Sequence, residues 1–258
     1  MNVLDEIVAS KREEIELAKN IRPLTSHQNE AASYTRSLHP FRQLFQGTVL
    51  IAEIKPKSPS KGQLISEDPL EIADLYARSD ADAISVLTDE KYFGGSLALL
   101  KEVRAYTQKP ILRKDFIVDE YQVYETLLGD ADAFLIIASV LSTEEMTKLM
   151  SIGTALGLDY LVEVHDQNDI EKAIVSGAEL MGINNRNLKT LDIDLDTTEK
   201  LMRLIPKDVA VISESGIETA EDVKRVRSWG VRGILVGTSI LQSGDPMAKI
   251  KELKAALV

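Results

Sequence analysis

From Val49 onward, short apolar runs rich in β-branched residues alternate with longer stretches whose apolar positions recur every three or four residues. Runs of the first kind predict strands covered on both faces, those of the second amphipathic helices, and their alternation βα units. The strands are expected at Leu50 to Lys55, Ala83 to Leu87, Ile111 to Lys114, Ala133 to Ala138, Tyr160 to Glu163, Leu180 to Asn184, Val209 to Ser213 and Gly233 to Val236. Helical patterns come after them, among them Pro69 to Arg78, Thr143 to Leu156 and Thr219 to Ser228, the last opened by Glu218-Thr219 and closed near Gly230. Eight such units predict an α/β fold, a single (β/α)8 TIM barrel over residues 49–258. A doubly wound open sheet shares the alternation, but it usually has fewer strands and a Gly-rich turn after the first. Here the first strand runs instead into Lys55-Pro56-Lys57-Ser58-Pro59-Ser60-Lys61-Gly62, with neither a dinucleotide nor a P-loop fingerprint.

The segment before the barrel has a different rhythm. Leu4, Ile7, Val8, Ile15 and Leu17 stand among charged residues and predict an amphipathic helix over Val3 to Asn20. Residues 21–48, mixed and polar with Pro23 and Pro40, read as a connector with a short helix at Phe41 to Gln46. Residues 1–48 are thus expected to form a helical extension packed on the barrel, with one domain overall.

Composition narrows the function. A chain of 258 residues, 44% hydrophobic, can bury a large core and suits either one such barrel or two small domains, a choice that composition alone does not make. Acidic residues (41) outnumber basic ones (30), the net charge is -11, and no long basic run occurs, which argues against a general nucleic-acid or anionic-membrane binder. No cysteine is present, which excludes disulfides and thiolate chemistry and fits a reducing cytoplasm. Histidines occur only at 27, 39 and 165, too few for a His-rich metal site, and no metal is expected. Acids replace the basic start of a signal peptide, and the longest apolar run, near Ala133 to Val140, falls short of the roughly 20 residues that cross a bilayer. A cytoplasmic protein without membrane contact is expected.

Barrel enzymes draw their reacting groups from the C-terminal ends of the strands. Strand one ends in Glu53-Ile54-Lys55, and period-two spacing turns both charges to one face. Facing inward, they form an acid and base pair at the barrel mouth; facing outward, they would be buried against helices at high cost. Strand three ends in Arg113-Lys114-Asp115-Phe116, which reads either as a solvated charge cluster or as part of a site. Glu163, after Leu161-Val162, is either salt-bridged structure or a site carboxylate, and a lysine opposite would shift both pKa values. His165 reads as a loop residue rather than a catalyst. Strand six ends in Asn184-Asn185-Arg186-Asn187, amides and a guanidinium suited to carboxylate or phosphate recognition. Ser213-Glu214-Ser215-Gly216 and Val236-Gly237-Thr238-Ser239 close strands seven and eight, where small residues let backbone N–H groups approach an anion. These turns imply a phosphorylated small-molecule substrate, without specifying its reaction.

These motifs, taken together, resemble the indole-3-glycerol-phosphate synthase family of tryptophan biosynthesis. The resemblance runs over essentially the whole chain: Lys11-Arg12-Glu13-Glu14, Ile51-Ala52-Glu53-Ile54-Lys55, Ser58-Pro59-Ser60-Lys61-Gly62, Ser85-Val86-Leu87-Thr88, Tyr92-Phe93-Gly94-Gly95, Leu112-Arg113-Lys114-Asp115-Phe116-Ile117, Leu161-Val162-Glu163-Val164, Gly182 to Leu188 and Ser213 to Ile217. It implies a lyase, a decarboxylase of aromatic amino-acid biosynthesis. The reaction implied is ring closure of 1-(2-carboxyphenylamino)-1-deoxyribulose 5-phosphate to indole-3-glycerol phosphate, with loss of carbon dioxide and water and no cofactor. Under it Lys114 is similar to the family's general acid, Glu163 to its base and Lys55 to a partner for the departing hydroxyl or substrate anions, with Glu53 holding a lysine. Asn184 and Arg186 would orient the substrate, with Ser58 and Glu214 also in contact with it. Ser215, Gly216, Gly237 and Thr238 would cradle the phosphate, and Phe93, Phe116, Leu135 and Leu188 would sandwich the anthranilate ring. The family more often has a second Lys or Arg and a small residue where this chain has Lys55-Pro56-Lys57-Ser58, and frequently Ser at the place of Thr238. The resemblance further implies a monomer, with weak association with other tryptophan-pathway enzymes. The neighbouring phosphoribosylanthranilate isomerases are expected to use a Cys and an Asp, and this chain has no Cys. A silent barrel that only binds a phosphosugar would have no need of Lys55, Lys114 and Glu163 together.

Overall fold

The computed structural model describes residues 3–58, 62–64, 68–188 and 190–258. Pro59, Ser60 and Lys61 of the first loop therefore lie outside the described residues. Eight parallel strands close into a barrel in sequence order: β1 (Val49–Ile54), β2 (Ala83–Leu87), β3 (Ile111–Lys114), β4 (Ala133–Ile137), β5 (Asp159–Val164), β6 (Leu180–Asn184), β7 (Ala210–Glu214) and β8 (Gly233–Val236). The ring is sealed where β1 pairs with β8, Val49 opposite Gly233, and with β2, Ile51 opposite Ala83. Every boundary agrees with the hydrophobic pattern to within one residue.

Alternation then sorts the side chains into two cores. Val49, Ile51, Leu112, Leu135, Leu161, Leu180, Ile212 and Leu235 point into the barrel. Leu50, Ala52, Ile54, Ile84, Phe134, Ile136, Val162, Met181 and Ile234 point outward under the helices. The same parity governs the C-terminal ends, where Glu53, Lys114, Glu163, Asn184 and Glu214 all continue the inward series.

Helices alternate with the strands, and most of their starts are capped by short polar side chains. Asp68 accepts from Leu70 N ahead of α3 (Pro69–Arg78), with proline in the first turn. Asp89 accepts from Tyr92 N and Phe93 N of the one-turn α4 (Glu90–Phe93), which precedes α5 (Leu97–Arg104). Capping boxes open α6 (Glu120–Leu128), α7 (Thr143–Ala155) and α10 (Ala220–Ser228), whereas α8 (Gln167–Val175) has a single cap from Asp166. The remaining helices are α9 (Asp196–Met202), the short α11 (Thr238–Leu241) and α12 (Pro246–Leu257).

Ahead of the barrel, α1 spans Val3–Ile21 as its periodicity predicts. The connector is more ordered than its sequence suggests, because a second helix, α2 (Leu24–Ala32), occupies much of it. That helix has one buried residue, His27, so it carries no apolar stripe for periodicity to detect. The expected short helix is a 3-10 turn, Arg42–Gln46, and Phe41 just before it and Phe45 within it join the inner core with Val49. A small antiparallel pair, Lys57–Ser58 with Gly62–Gln63, comes directly after β1.

Candidate active site

Lys114 stands at the centre of the barrel mouth. Its Nζ donates to Glu163 Oε2 at 2.6 Å and to Glu214 Oε2 at 2.7 Å, so one ammonium bridges the ends of three strands. The other oxygen of Glu163 accepts from Asn184 Nδ2 at 3.1 Å, and Asn184 Oδ1 in turn accepts from Arg186 N at 3.0 Å. Beside this group Lys55 Nζ donates to Glu53 Oε1 at 2.5 Å. The paired acid and base expected from period-two spacing therefore faces inward.

Electrostatics here are set by burial and pairing. Burial alone would lower the Lys114 pKa, but Glu163, Glu214 and Glu53 outweigh it and hold the ammonium well above the ordinary lysine range. Burial would raise Glu163, yet Lys114 and then His165 keep it well below the usual carboxylate range. Glu214 goes the other way: burial and the negative charge of Glu163 exceed the help from Lys114, and its pKa is raised. The centre thus combines a firmly held proton, a firmly ionised carboxylate and a carboxylate that takes up a proton more readily.

Around this centre opens a cleft whose empty space, open mouth included, is about 1020 Å³, lined by Glu53, Lys55, Phe93, Lys114, Phe116, Leu135, Glu163, Asn184, Arg186, Leu188, Glu214, Ser215, Gly216, Gly237 and Thr238. Ser58 borders an adjoining recess, together with Leu4 and Ile7 of α1. One end is apolar and aromatic, where the Phe93 and Phe116 rings lie 6.0 Å apart at 37°. The opposite end is built of turns. Ser215 and Gly216 both take left-handed φ values, 64° and 80°, a conformation that costs a serine strain and glycine little. Asn185 Nδ2 donates to Ser215 O at 3.0 Å and steadies that turn. A Cβ on Gly216 would lie 2.5 Å from Ile193, and one on Gly237 would lie 2.7 Å from Glu53 Oε1, so a side chain at either position would have to displace its neighbour. Among the described residues no cluster of three or more His, Asp or Glu is placed to hold a metal ion.

The structure also adds residues that strand-end reasoning does not supply. Arg113 is not solvated: it points away from Lys114 into the helix layer, buried, and donates to Asp115 Oδ2 at 2.9 Å and to Gln122 O at 2.9 Å. His165, expected as a loop residue, comes directly after β5, but its Nε2 is 3.2 Å from Glu163 Oε1 and its Nδ1 is 3.5 Å from Asp169 Oδ2. Burial would lower its pKa, and Asp169 and Glu163 instead push it up to about 9. In the sequence Gly182 is visible only as part of a motif. In space it admits the Glu214 carboxylate, whose Oε1 would lie 2.0 Å from a Cβ there.

The comparisons with known proteins point one way. A family model described as indole-3-glycerol phosphate synthase matches residues 4–253. The chain is 44% identical to the indole-3-glycerol phosphate synthase of Thermoanaerobacter sp. (strain X514) over 97% of its length and 96% of the relative. It is 43% identical to that of Acetivibrio thermocellus over 98% and 99%, and 50% identical to that of Dehalococcoides mccartyi (strain CBDB1) over 79% and 80%. Among solved structures, 3-hexulose-6-phosphate synthase from Salmonella typhimurium superposes with a TM-score of 0.66 at 13% identity, covering 81% of this chain and 98% of the other. Thiamine phosphate pyrophosphorylase from Pyrococcus furiosus gives 0.62 at 16%, over 83% and 97%. Identities that low speak for the barrel alone, whereas full-length identity above 40%, joined to a lysine and carboxylate centre, speaks for more. On that ground the chain belongs to the indole-3-glycerol phosphate synthase family.

Proposed function

We propose that this carboxy-lyase converts 1-(2-carboxyphenylamino)-1-deoxyribulose 5-phosphate into indole-3-glycerol phosphate, carbon dioxide and water by acid–base catalysis from its own side chains. The observation that carries the reading is Lys114, held between Glu163 and Glu214 in a cleft that is also lined by an aromatic pocket and by a pair of small-residue turns. That layout matches a substrate with an aromatic ring at one end and a phosphate at the other.

In this reading Ser215, Gly216, Gly237 and Thr238 hold the phosphate through backbone N–H groups and hydroxyls. Phe93, Phe116, Leu135 and Leu188 enclose the anthranilate ring, and Ser58, Asn184 and Arg186 orient the carboxylate and the hydroxyls. The ring carbon bearing the carboxylate attacks the ketone carbon, and Lys114 protonates the ketone oxygen as the new bond forms. Carbon dioxide then leaves, its bonding electrons restoring the aromatic ring. Glu163 next removes a proton while Lys55, positioned by Glu53, protonates the departing hydroxyl, so that water leaves and the indole double bond forms. Glu214 steadies Lys114 throughout. Residues 1–48 serve as an extension of the single barrel domain, contributing Leu4 and Ile7 to the recess beside the ring pocket.

The test is direct. Purified protein given the carboxyphenylamino substrate should produce a gain in indole fluorescence, and Lys114→Ala should slow it by roughly two to four powers of ten. No gain from the unmodified protein would overturn the reading.

A further inference from the structure

Lys11 lies on α1, yet it is only 2% exposed. A lysine that deeply buried is costly unless paired, so its partners define its purpose. They are Glu14, Asp89 and Asp115, whose oxygens lie 2.9, 3.2 and 3.3 Å from its Nζ. Burial alone would lower its pKa, and these carboxylates reverse that and raise it. Asp89 and Asp115 are themselves almost fully buried.

Each of these two aspartates has a second engagement. Asp89 Oδ1 accepts from Tyr92 N at 2.7 Å and Phe93 N at 3.3 Å, and so fixes the one turn of α4 that presents Phe93. Asp115 Oδ1 accepts from Phe116 N at 2.8 Å, directly after Lys114. One ammonium therefore ties together the backbone positions of both phenylalanines in the apolar end of the cleft. Leu4, Ile7 and Lys11 fall on one face of α1 by their spacing, so the helix that supplies apolar wall also supplies the clamp. Two further bonds hold α4 to α1 from outside: Lys91 Nζ to Ser10 Oγ at 3.1 Å, and Tyr92 Oη to Glu6 Oε1 at 3.1 Å.

We propose that Lys11 is a positioning residue for the aromatic half of the substrate: through Asp89 and Asp115 it sets the separation of Phe93 and Phe116, and with it the affinity for the anthranilate ring. This rests on the proposed function, since it takes that reading's ring pocket as given. A purely structural latch would change stability alone. A positioning residue changes ring affinity in molecules that are fully folded.

The experiment compares wild type, Lys11→Met and Lys11→Arg, each shown to be folded by circular dichroism, in steady-state assays and in calorimetric titrations with anthranilate and with inorganic phosphate. Lys11→Met should raise KM at least tenfold and weaken anthranilate binding by a similar factor, with kcat changed less than about threefold and phosphate binding unchanged. Lys11→Arg should recover part of the loss, because it restores the charge. A folded Lys11→Met protein with wild-type KM, or one that loses phosphate as severely as anthranilate, would overturn the inference. If Lys11→Met fails to fold, Asp89→Asn keeps the capping oxygen and removes the charge. It should show the same split, and an unchanged KM there would also overturn the proposal. Failure of the wild-type enzyme to turn over the substrate at all would instead remove the functional reading, a separate and recognisable result.

Discussion

A single methyl group placed behind the reaction centre should disable it without unfolding the barrel. Gly182 lies on β6 in register with Glu163 on one side and Ile212 on the other, so its backbone is held by both neighbouring strands. A Cβ there would stand 2.0 Å from Glu214 Oε1, where ordinary contact begins near 3.4 Å. In Gly182→Ala the strands cannot separate cheaply, but the end of the Glu214 side chain can swing, so the carboxylate retreats by well over an ångström. Its 2.7 Å bond to Lys114 is lost. A hydrogen bond involving charged groups contributes about 1.5–3 kcal/mol, which corresponds to roughly a tenfold to hundredfold loss in rate. We expect kcat to fall by that factor, with KM altered much less and the melting temperature lowered by only a few degrees. The pH profile supplies a second readout. Glu214 is one of the charges that raise the Lys114 pKa, so its retreat should move the alkaline limb of kcat to lower pH. The assay is indole fluorescence at saturating substrate across the alkaline range. A Gly182→Ala enzyme with kcat within twofold of wild type and an unmoved alkaline limb would refute the idea that Glu214 positions Lys114.

The same geometry supports other expectations. Glu163→Gln retains the shape of the proposed base but not its charge, and kcat should fall by roughly two to four powers of ten in the fluorescence assay. Gly216→Val would put a β-branched residue at a φ of 80° and a Cβ 2.5 Å from Ile193, so KM should rise and phosphate protection against thermal unfolding should shrink. Near-normal phosphate binding in that variant would remove the Ser215-Gly216 turn from the anion site. His165, whose pKa rises from 6.5 to about 9 on folding, stabilises the native state fully below pH 6.5 and progressively less as pH rises through 9. The effect is at most about 3 kcal/mol. Melting curves of wild type and His165→Gln should therefore differ most near pH 6 and converge above pH 9, and a constant difference would count against the charged imidazole.

Much of this arrangement can be read from the chain because a parallel barrel leaves alternation little freedom. Once Val49 and Ile51 point inward, Glu53 must do the same, and that parity carries Lys114, Glu163 and Glu214 to the mouth. Arg113 illustrates the rule from the other side: one residue from Lys114, it turns outward and is buried among Asp115, Gln122 and Glu125. The features hidden from the sequence depend on contacts between distant positions. The steric fit of Gly182 to Glu214 joins adjacent strands 32 positions apart, and the pairing of Lys11 with Asp89 and Asp115 joins a leading helix to two loops. No local pattern announces either. Helix α2 is hidden for a simpler reason, since its sequence Leu24 to Ala32 buries only His27 and shows the composition of a polar connector.

The two ends of the barrel treat their buried carboxylates differently, and the difference supports the proposed centre independently of any motif. At the N-terminal end, Asp132 is saturated: Oδ1 accepts from His39 N at 2.8 Å and Arg36 Nη2 at 3.1 Å, and Oδ2 from Ile111 N and Arg104 Nη1, both at 2.8 Å. Asp82, half-buried, accepts on Oδ2 from both Leu50 N at 2.7 Å and Lys254 Nζ at 2.5 Å. These groups bind the starts of strands to helices and to the connector, and nothing about them asks for a ligand. At the C-terminal end Glu214, equally buried, receives Lys114 on one oxygen while the other finds no hydrogen-bond donor among the described residues. Leaving a buried carboxylate oxygen without a donor costs free energy that a purely structural site would have no reason to bear. A buried carboxylate with donors on both oxygens at one end and an under-satisfied one at the other are what a barrel should show when one end holds it together and the other does chemistry.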